Sequence, residues 1–337
     1  MTIDYISHYV KMMPVRGVGG FGGGATGLGF VSGGVTPILW GGDRGINARG
    51  RSGGTDDIYY WSISSGANGS AFGELDHTNQ YNSSVSNISR AVIARGGTGD
   101  STYADLDYIT VANTGNATHF GNLSNARYGC GASSDGTSGL FWAGTVGSGS
   151  GSNRIDKITI ATTGNATDYA DDTTGDIYGC AACGDGTRSL NAAGYKLNSP
   201  SGYQQRISYT IYTNNINSID FGDLTYGGVY WLAACSDMTV ALFAGGQPGS
   251  GGLPNNINTV TIQTIGNATE FGDLAWANKE FAGAGDSTNG CFVGGRNSAN
   301  NASTDAITYV TYATPGNSVD TCDLGVTTQY NTACSGD

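Results

Sequence analysis

Charge is scarce in this chain. Of its 337 residues only 12% are charged, and 15 basic against 27 acidic side chains leave a net charge of −12. A long helical protein needs solvated Lys and Glu faces, which this composition cannot supply. Phosphate binding needs clustered Lys or Arg, so no nucleic-acid partner is expected. Proline is nearly missing too: 6 residues beside 57 glycines exclude both a collagen-like repeat and a proline-rich linker. No run of 18 apolar residues occurs, so no membrane-spanning helix is expected. The N-terminus, MTIDYISHYVKMMPVRG, lacks the basic start and apolar core of a secretory signal, and Met1 is expected to be kept.

Metal and redox chemistry are equally short of material. His8, His77 and His119 are the three histidines, and neither a His-x-x-x-His pair nor a Cys/His cluster of zinc spacing occurs. No metal and no cofactor are expected. The 7 cysteines are odd in number and have no compact spacing, which argues against a disulfide framework and for folding in a reducing cytoplasm. Cys180 and Cys183 form a lone C-x-x-C, but residues three apart on a strand face opposite sides. Cys183, Cys235 and Cys334 each follow an Ala, as though packing repeatedly selects a small buried side chain there.

What the chain has is one sentence repeated. ITIATTGNATDYADD at 158–172 reads as a strand, a Gly-Asn turn and a second strand. It returns as YITVANTGNATHFGNL (108–123) and VTIQTIGNATEFGDL (260–274), and less sharply at 60–75, 209–224 and 309–324. Aligned on one position, the copies fall at Phe72, Phe120, Tyr169, Phe221, Phe271 and Thr321, a period of 48 to 52 residues. A fixed period of this length is a statement about the whole fold.

The clearest unit has four strands. RYGCGAS (127–133) comes first, and a turn at 134–137 leads to the apolar run LFWAG (140–144). A Gly/Ser loop then leads to a third strand at 155–161, and Thr163-Gly164-Asn165 turns the chain into a fourth ending near Asp172. The second strand recurs as ILWGG (38–42), AVIARGG (91–97), LNAAG (190–194), ALFAGG (241–246) and CFVGG (291–295). Strand one of the first unit is missing at that end of the chain. Its match is YNTACSGD at 330–337, which parallels WLAACSD at 231–237. The expectation is an all-β, six-bladed propeller of four-stranded blades over 36–337, closed when the C-terminal strand joins the N-terminal blade. A β-solenoid is the runner-up. Residues 1–35 stand apart as a Gly-rich extended arm. Ile3, Tyr5, Ile6, Tyr9, Val10 and Met13 make its first part mildly amphipathic, so it reads as a flexible tail or as a docking arm ordered by a neighbour.

The unit resembles a kelch repeat. It has an Arg near strand one (Arg127) and runs ending in Gly-Gly at 41–42, 96–97, 245–246 and 294–295. Tyr108 and Tyr309 lie on strand three, and Phe120, Phe221 and Phe271 supply the later aromatic. It departs where two units have Ala143-Gly144 and Ala193-Gly194, and where Phe or Tyr replaces the usual Trp. ATTGNATDYADD, with FGDL in sister units, is also similar to kelch-like repeats in virion proteins of marine tailed phages, particularly cyanophages. That resemblance covers about nine-tenths of the chain and carries no catalytic residues. It implies a virion protein made in the host cytoplasm: a tail-fibre, adsorption or particle-surface module. Its partners would be other virion proteins and a host surface glycan, with assembly into a homo-oligomer open. A capsid decoration protein, a free lectin-like or scaffold propeller, and a propeller enzyme are the competing readings. An enzyme is not expected, because no constellation of catalytic groups stands out.

Recurring residues have local explanations. Asp135, Asp185, Asp237, Asp286 and Asp337 sit at the first turn, where Asp bonds its own backbone; a cation-binding carboxylate set is the sharper alternative. Glu74, Asp223, Asp273 and Asp323 form a second acidic position, read as solvated or capping. Asn116, Asn165 and Asn267 begin glycosylation sequons that the Gly-Asn hairpin explains without glycans. Specificity is therefore sought in the irregular two-to-three loops at 43–57, 98–105, 145–154, 195–206, 247–256 and 296–305. Their candidate binding residues are Arg44, Arg49, Arg51, Tyr103, Tyr195, Tyr203, Arg296 and Asn300.

Overall fold

A computed structural model describes residues 42–50, 55–98, 101–147, 149–298 and 301–336. Arg51, Asn300, Asp337 and the arm residues Ile3, Tyr5, Ile6, Tyr9, Val10 and Met13 lie outside the described residues. Leu39–Asp337 forms one unit of the chain.

Among the described residues there is no helix, and the strands build six four-stranded antiparallel sheets, a propeller-like organisation. The first strands are Ser83–Ser86, Gly131–Ser134, Ala181–Gly184, Ala233–Ser236, Ala282–Gly285 and Thr332–Gly336. The last of these belongs to the sheet of Arg44–Ala48, Thr55–Ser62 and Ser70–Asn79, so both ends of the described chain meet in one ladder. Neighbouring first strands pack side by side, and Thr332–Gly336 lies against both Ala282–Gly285 and Ser83–Ser86.

One expectation about strand two is corrected. In the first sheet that strand is Arg44–Ala48, RGINA, paired with Thr332–Gly336 on one side and Thr55–Ser62 on the other. ILWGG at 38–42 has the apolar composition of a buried strand but precedes that strand in the chain. RGINARG instead shares its opening Arg and its register with RAVIARG at 90–96.

Burial follows the sequence pattern strand by strand. Second strands are buried almost throughout because neighbours cover both faces: Leu140, Phe141 and Trp142 are fully buried, and so is Asn47 where a polar residue enters the strand. Third strands mix buried and half-buried positions, as in Arg154–Thr159, and fourth strands begin exposed, as in Thr167–Asp171. Tyr60–Phe72, Tyr108–Phe120 and Tyr209–Phe221 meet edge-to-face across strands three and four. Such pairs contribute about 0.5–1.5 kcal/mol each beyond their burial. Arg44, Arg90 and Arg188 lie over these tyrosines, 4.2 to 4.8 Å from the ring centres. Each also donates to a carbonyl of the following sheet: Val111, Ile160 and Ile262 respectively.

Turn chemistry accounts for the recurring polar residues. Asp185 Oδ1 accepts from the Thr187 and Arg188 N–H groups, and Asp135, Asp237 and Asp286 cap their turns in the same way. Asn87 does so in the second sheet. The hairpin Asn reaches instead to the neighbouring sheet. Asn116, Asn165, Asn217, Asn267, Asn317 and Asn68 each accept, at 3.0–3.2 Å, the N–H of Glu74, Asn122, Asp171, Asp223, Asp273 and Asp323. The second acidic position and the sequon are thus two halves of one inter-sheet contact.

Candidate functional site

Two cavities stand out between the first strands: one is lined mostly by Ala, Gly, Ser and Cys, and the other also by Tyr81, Trp231, Glu280, Phe281 and Tyr330. All seven cysteines are free thiols and buried. Cys180 and Cys183 belong to different core clusters, and burial holds both thiols above their ordinary range, so neither is poised as a nucleophile. His77 and His119 are half-exposed beside Asp76 and Asp107, away from these cavities. Among the described residues no cluster of His, Cys, Asp and Glu is arranged to hold a metal ion.

One end of the space between the first strands is built unlike the other. Two residues before each first strand the chain adopts a left-handed conformation, at Tyr81, Gly129, Gly179, Trp231, Glu280 and Tyr330, with φ between 53° and 69°. At that geometry each N–H points to the equivalent carbonyl of the preceding sheet. Gly129 donates to Tyr81, Gly179 to Gly129, Trp231 to Gly179, Glu280 to Trp231 and Tyr330 to Glu280, and Tyr81 donates back to Tyr330, at 2.6–3.2 Å. Glycine tolerates this φ, whereas an L side chain there costs about 1–2 kcal/mol. Four of the six positions nonetheless carry Tyr, Trp, Glu and Tyr. Strain of this kind persists where surrounding structure enforces it, and it clusters at binding sites.

Those four side chains fill the end of the space. The Trp231 indole lies across the two glycines: a Cβ on Gly129 would stand 2.9 Å from its Cη2, and one on Gly179 3.1 Å from its Cδ2. Tyr81 stacks on Trp231 and on Tyr128, and Tyr330 packs against both Tyr81 and Trp231. The collar continues outward through Tyr178, Tyr230, Tyr195 and Tyr203, joined edge-to-face at 5.0–5.9 Å. Short ladders hold these rings. Tyr178 pairs with Tyr195, and Tyr195 with Tyr203, in a three-stranded sheet, and Tyr230 pairs with Gln247. Burial, with its tyrosine neighbours, pushes the Tyr178 hydroxyl up to about 12, so it stays a neutral donor.

Beside the aromatics lies a charged arc. Glu280 is almost fully buried, 3.5 Å from Lys279 Nζ and 3.7 Å from Arg296 Nη1, with the Tyr330 hydroxyl beside it. Burial raises its carboxyl above the usual range while the two cations oppose the rise. Its Oε2 accepts no hydrogen bond. Lys279 and Arg296 sit opposite each other in a two-residue ladder.

Of the loop residues singled out from sequence, Tyr195, Tyr203 and Arg296 come together in this collar. Tyr103 packs under the Arg95 guanidinium instead, 3.5 Å from ring to Cζ. Arg49 is held by an ion pair to Asp57 and by the Thr327 carbonyl. Arg44 is not a loop residue: it opens strand two at the opposite end of its sheet, level with Gly336, and its guanidinium serves an inter-sheet contact. Sequence reasoning missed Tyr81, Tyr178, Tyr230, Trp231, Glu280 and Tyr330. A signal existed. Position two before strand one reads Tyr, Gly, Gly, Trp, Glu, Tyr, a variable site inside an otherwise regular repeat.

Comparison with protein-family models finds none that matches, and comparison with curated proteins likewise finds no match. Among the described residues no helix is long and apolar enough to cross a membrane.

Proposed function

We propose that this chain is a closed six-bladed kelch-like propeller acting as a non-catalytic binding module of a tailed-phage particle. In this reading the N-terminal arm docks onto a neighbouring virion protein, and the loop end of the wheel meets a host surface component. The observation that carries the binding role is the collar: eight aromatic side chains and a buried carboxylate gathered at one end of a rigid scaffold. The N–H-to-carbonyl series that starts and ends at Tyr81 supports closure, as does the pairing of Thr332–Gly336 with Arg44–Ala48. The virion placement is supported by the resemblance of ATTGNATDYADD and FGDL to phage kelch-like repeats. Catalysis is left out because glycoside hydrolysis uses two converging carboxylates, and among the described residues these two cavities are lined by a single acid, Glu280.

Deleting residues 1–30 tests the particle role. The truncated chain is expected to keep the melting temperature and β-sheet spectrum of the parent yet to be missing from purified particles. A truncated chain that still incorporates sinks the docking role. Imaging of intact particles would separate a tail or fibre position from a capsid decoration.

A further inference from the structure

We infer that the collar is a saccharide-binding site selective for a neutral sugar, with Tyr203 and Tyr230 as stacking faces, Trp231 as the ring that backs them and Glu280 as hydrogen-bond acceptor. The inference rests on reading the chain as a binding module and adds the class of ligand.

A pyranose has two kinds of surface, a face of C–H bonds that stacks on aromatic rings and a rim of hydroxyls that both donate and accept. The collar offers both at adjoining positions. Tyr203 is its most exposed aromatic, at 39%, and the ring is fixed from behind: a Cβ on Gly249 would stand 2.6 Å from it. Tyr203 meets Tyr230 edge-to-face, and Tyr230 adjoins Trp231, so ordered aromatic surface runs inward from the rim. Rings held this way lose little freedom on binding. The polar half follows directly, because the ladder carrying Tyr230 also carries Gln247, and Lys279 Nζ donates to Gln247 Oε1. Beyond Lys279 stands Glu280, a buried carboxylate whose Oε2 faces Arg296 Nη1 at 3.7 Å but accepts no hydrogen bond. Buried acceptors are rarely left so, and a ligand hydroxyl would satisfy this one.

The surroundings discriminate among ligands. An aromatic cage draws an organic cation through its ring faces; here Lys279 and Arg296 outnumber Glu280 beside the rings and repel such a ligand. A polyanionic glycan would have to approach a chain of net charge −12. A neutral saccharide meets neither obstacle.

The test uses the full chain and saturation-transfer NMR with maltopentaose, cellopentaose and chitopentaose at millimolar concentration. Choline and an oligogalacturonate serve as the cationic and anionic arms. At least one neutral oligosaccharide is expected to receive saturation, strongest at ring C–H protons. Tyr203→Ala and Trp231→Gly should each weaken its binding by about tenfold or more, the loss expected of a central aromatic anchor. Trp231→Gly suits the left-handed backbone that Gly129 and Gly179 already adopt at equivalent positions, and its melting curve verifies folding. Should that variant not fold, Tyr203→Ala decides alone. The proposal is overturned if no neutral oligosaccharide binds, if both variants bind as well as the parent, or if choline binds in their place. Those outcomes leave particle incorporation untouched, so they are separable from failure of the particle role.

Discussion

Asp172 shows how one residue can depart from the repeat and reorganise what surrounds it. It occupies the position held by Leu75, Leu123, Leu224, Leu274 and Leu324 in the other sheets, all of them buried. Its neighbours have become polar in compensation. Thr174 N–H and the Ser218 hydroxyl donate to Oδ1 at 2.9 Å, and Asn191 Nδ2 donates to Oδ2 at 3.2 Å. Burial is the larger influence and raises the carboxyl above its ordinary 3.8. In the window between the unfolded and folded values the folded chain holds more protons. Stability is therefore fullest below the unfolded value and is lost as pH rises through the folded one. Asp172→Asn removes the titration. It also replaces the oxygen that accepts from Asn191 Nδ2 with an amide nitrogen that cannot accept, at a cost of about 1–3 kcal/mol. Urea midpoints measured from about pH 4 to about pH 8 should show the variant's deficit shrinking as pH rises. A deficit that stays constant or widens over that range would mean that Asp172 is already ionised in the folded chain.

At the scale of the element, the repeated hairpin joins sheets, and the glycine of FGDL makes the joint possible. A Cβ on Gly73, Gly121, Gly222 or Gly272 would fall 2.1–2.3 Å from the carbonyl oxygen of the Gly in the next sheet's turn. No side-chain rotation relieves a contact between Cβ and backbone. Gly272→Ala must therefore push the turn at Gly316 away and weaken the bond from Asp273 N–H to Asn317 Oδ1. A loss of about 1–3 kcal/mol is expected, while Gly266→Ala, which meets nothing within 4 Å, should cost far less. Thermal melting of the two variants side by side checks this. The same hairpin was the most legible part of the sequence. Its turn, its strand pattern and its period all follow from local rules, and the fifty-residue spacing exposed the four-stranded units. The contact between sheets was not legible, because Asn68 and Asp323 are 255 residues apart and nothing local records that they meet. The binding site was legible only at its rim. Tyr195, Tyr203 and Arg296 stand out as loop residues. Tyr81, Trp231, Glu280 and Tyr330 become neighbours only when the backbone turns left-handed and six distant segments converge.

For the whole molecule, the decisive element is the last one. Thr332–Gly336 pairs with Arg44–Ala48 over five residue pairs, and side chains reinforce the ladder. Asn47 Nδ2 donates to the Thr332 carbonyl, the Ser84 and Thr332 hydroxyls meet at 2.7 Å, and Ser335 Oγ donates to the Gly285 carbonyl. The strand thus ties the first sheet to the sheets on either side of it. Removing residues 332–337 while keeping Tyr330 would strip Arg44–Ala48 of a partner and leave its N–H and C=O groups as an open edge. At about 1 kcal/mol per lost hydrogen bond the cost is on the order of 5 kcal/mol, comparable to the full stability of many domains. An exposed edge also pairs with other chains. The truncated protein is therefore expected to unfold at much lower denaturant and to self-associate in light scattering. A synthetic peptide spanning residues 329–337, added in trans, should restore the monomer and raise the unfolding midpoint by pairing with the vacated edge. A truncated chain that remains monomeric with an unchanged midpoint would show that the sheets do not depend on this strand, and the closed-ring reading would fall with it.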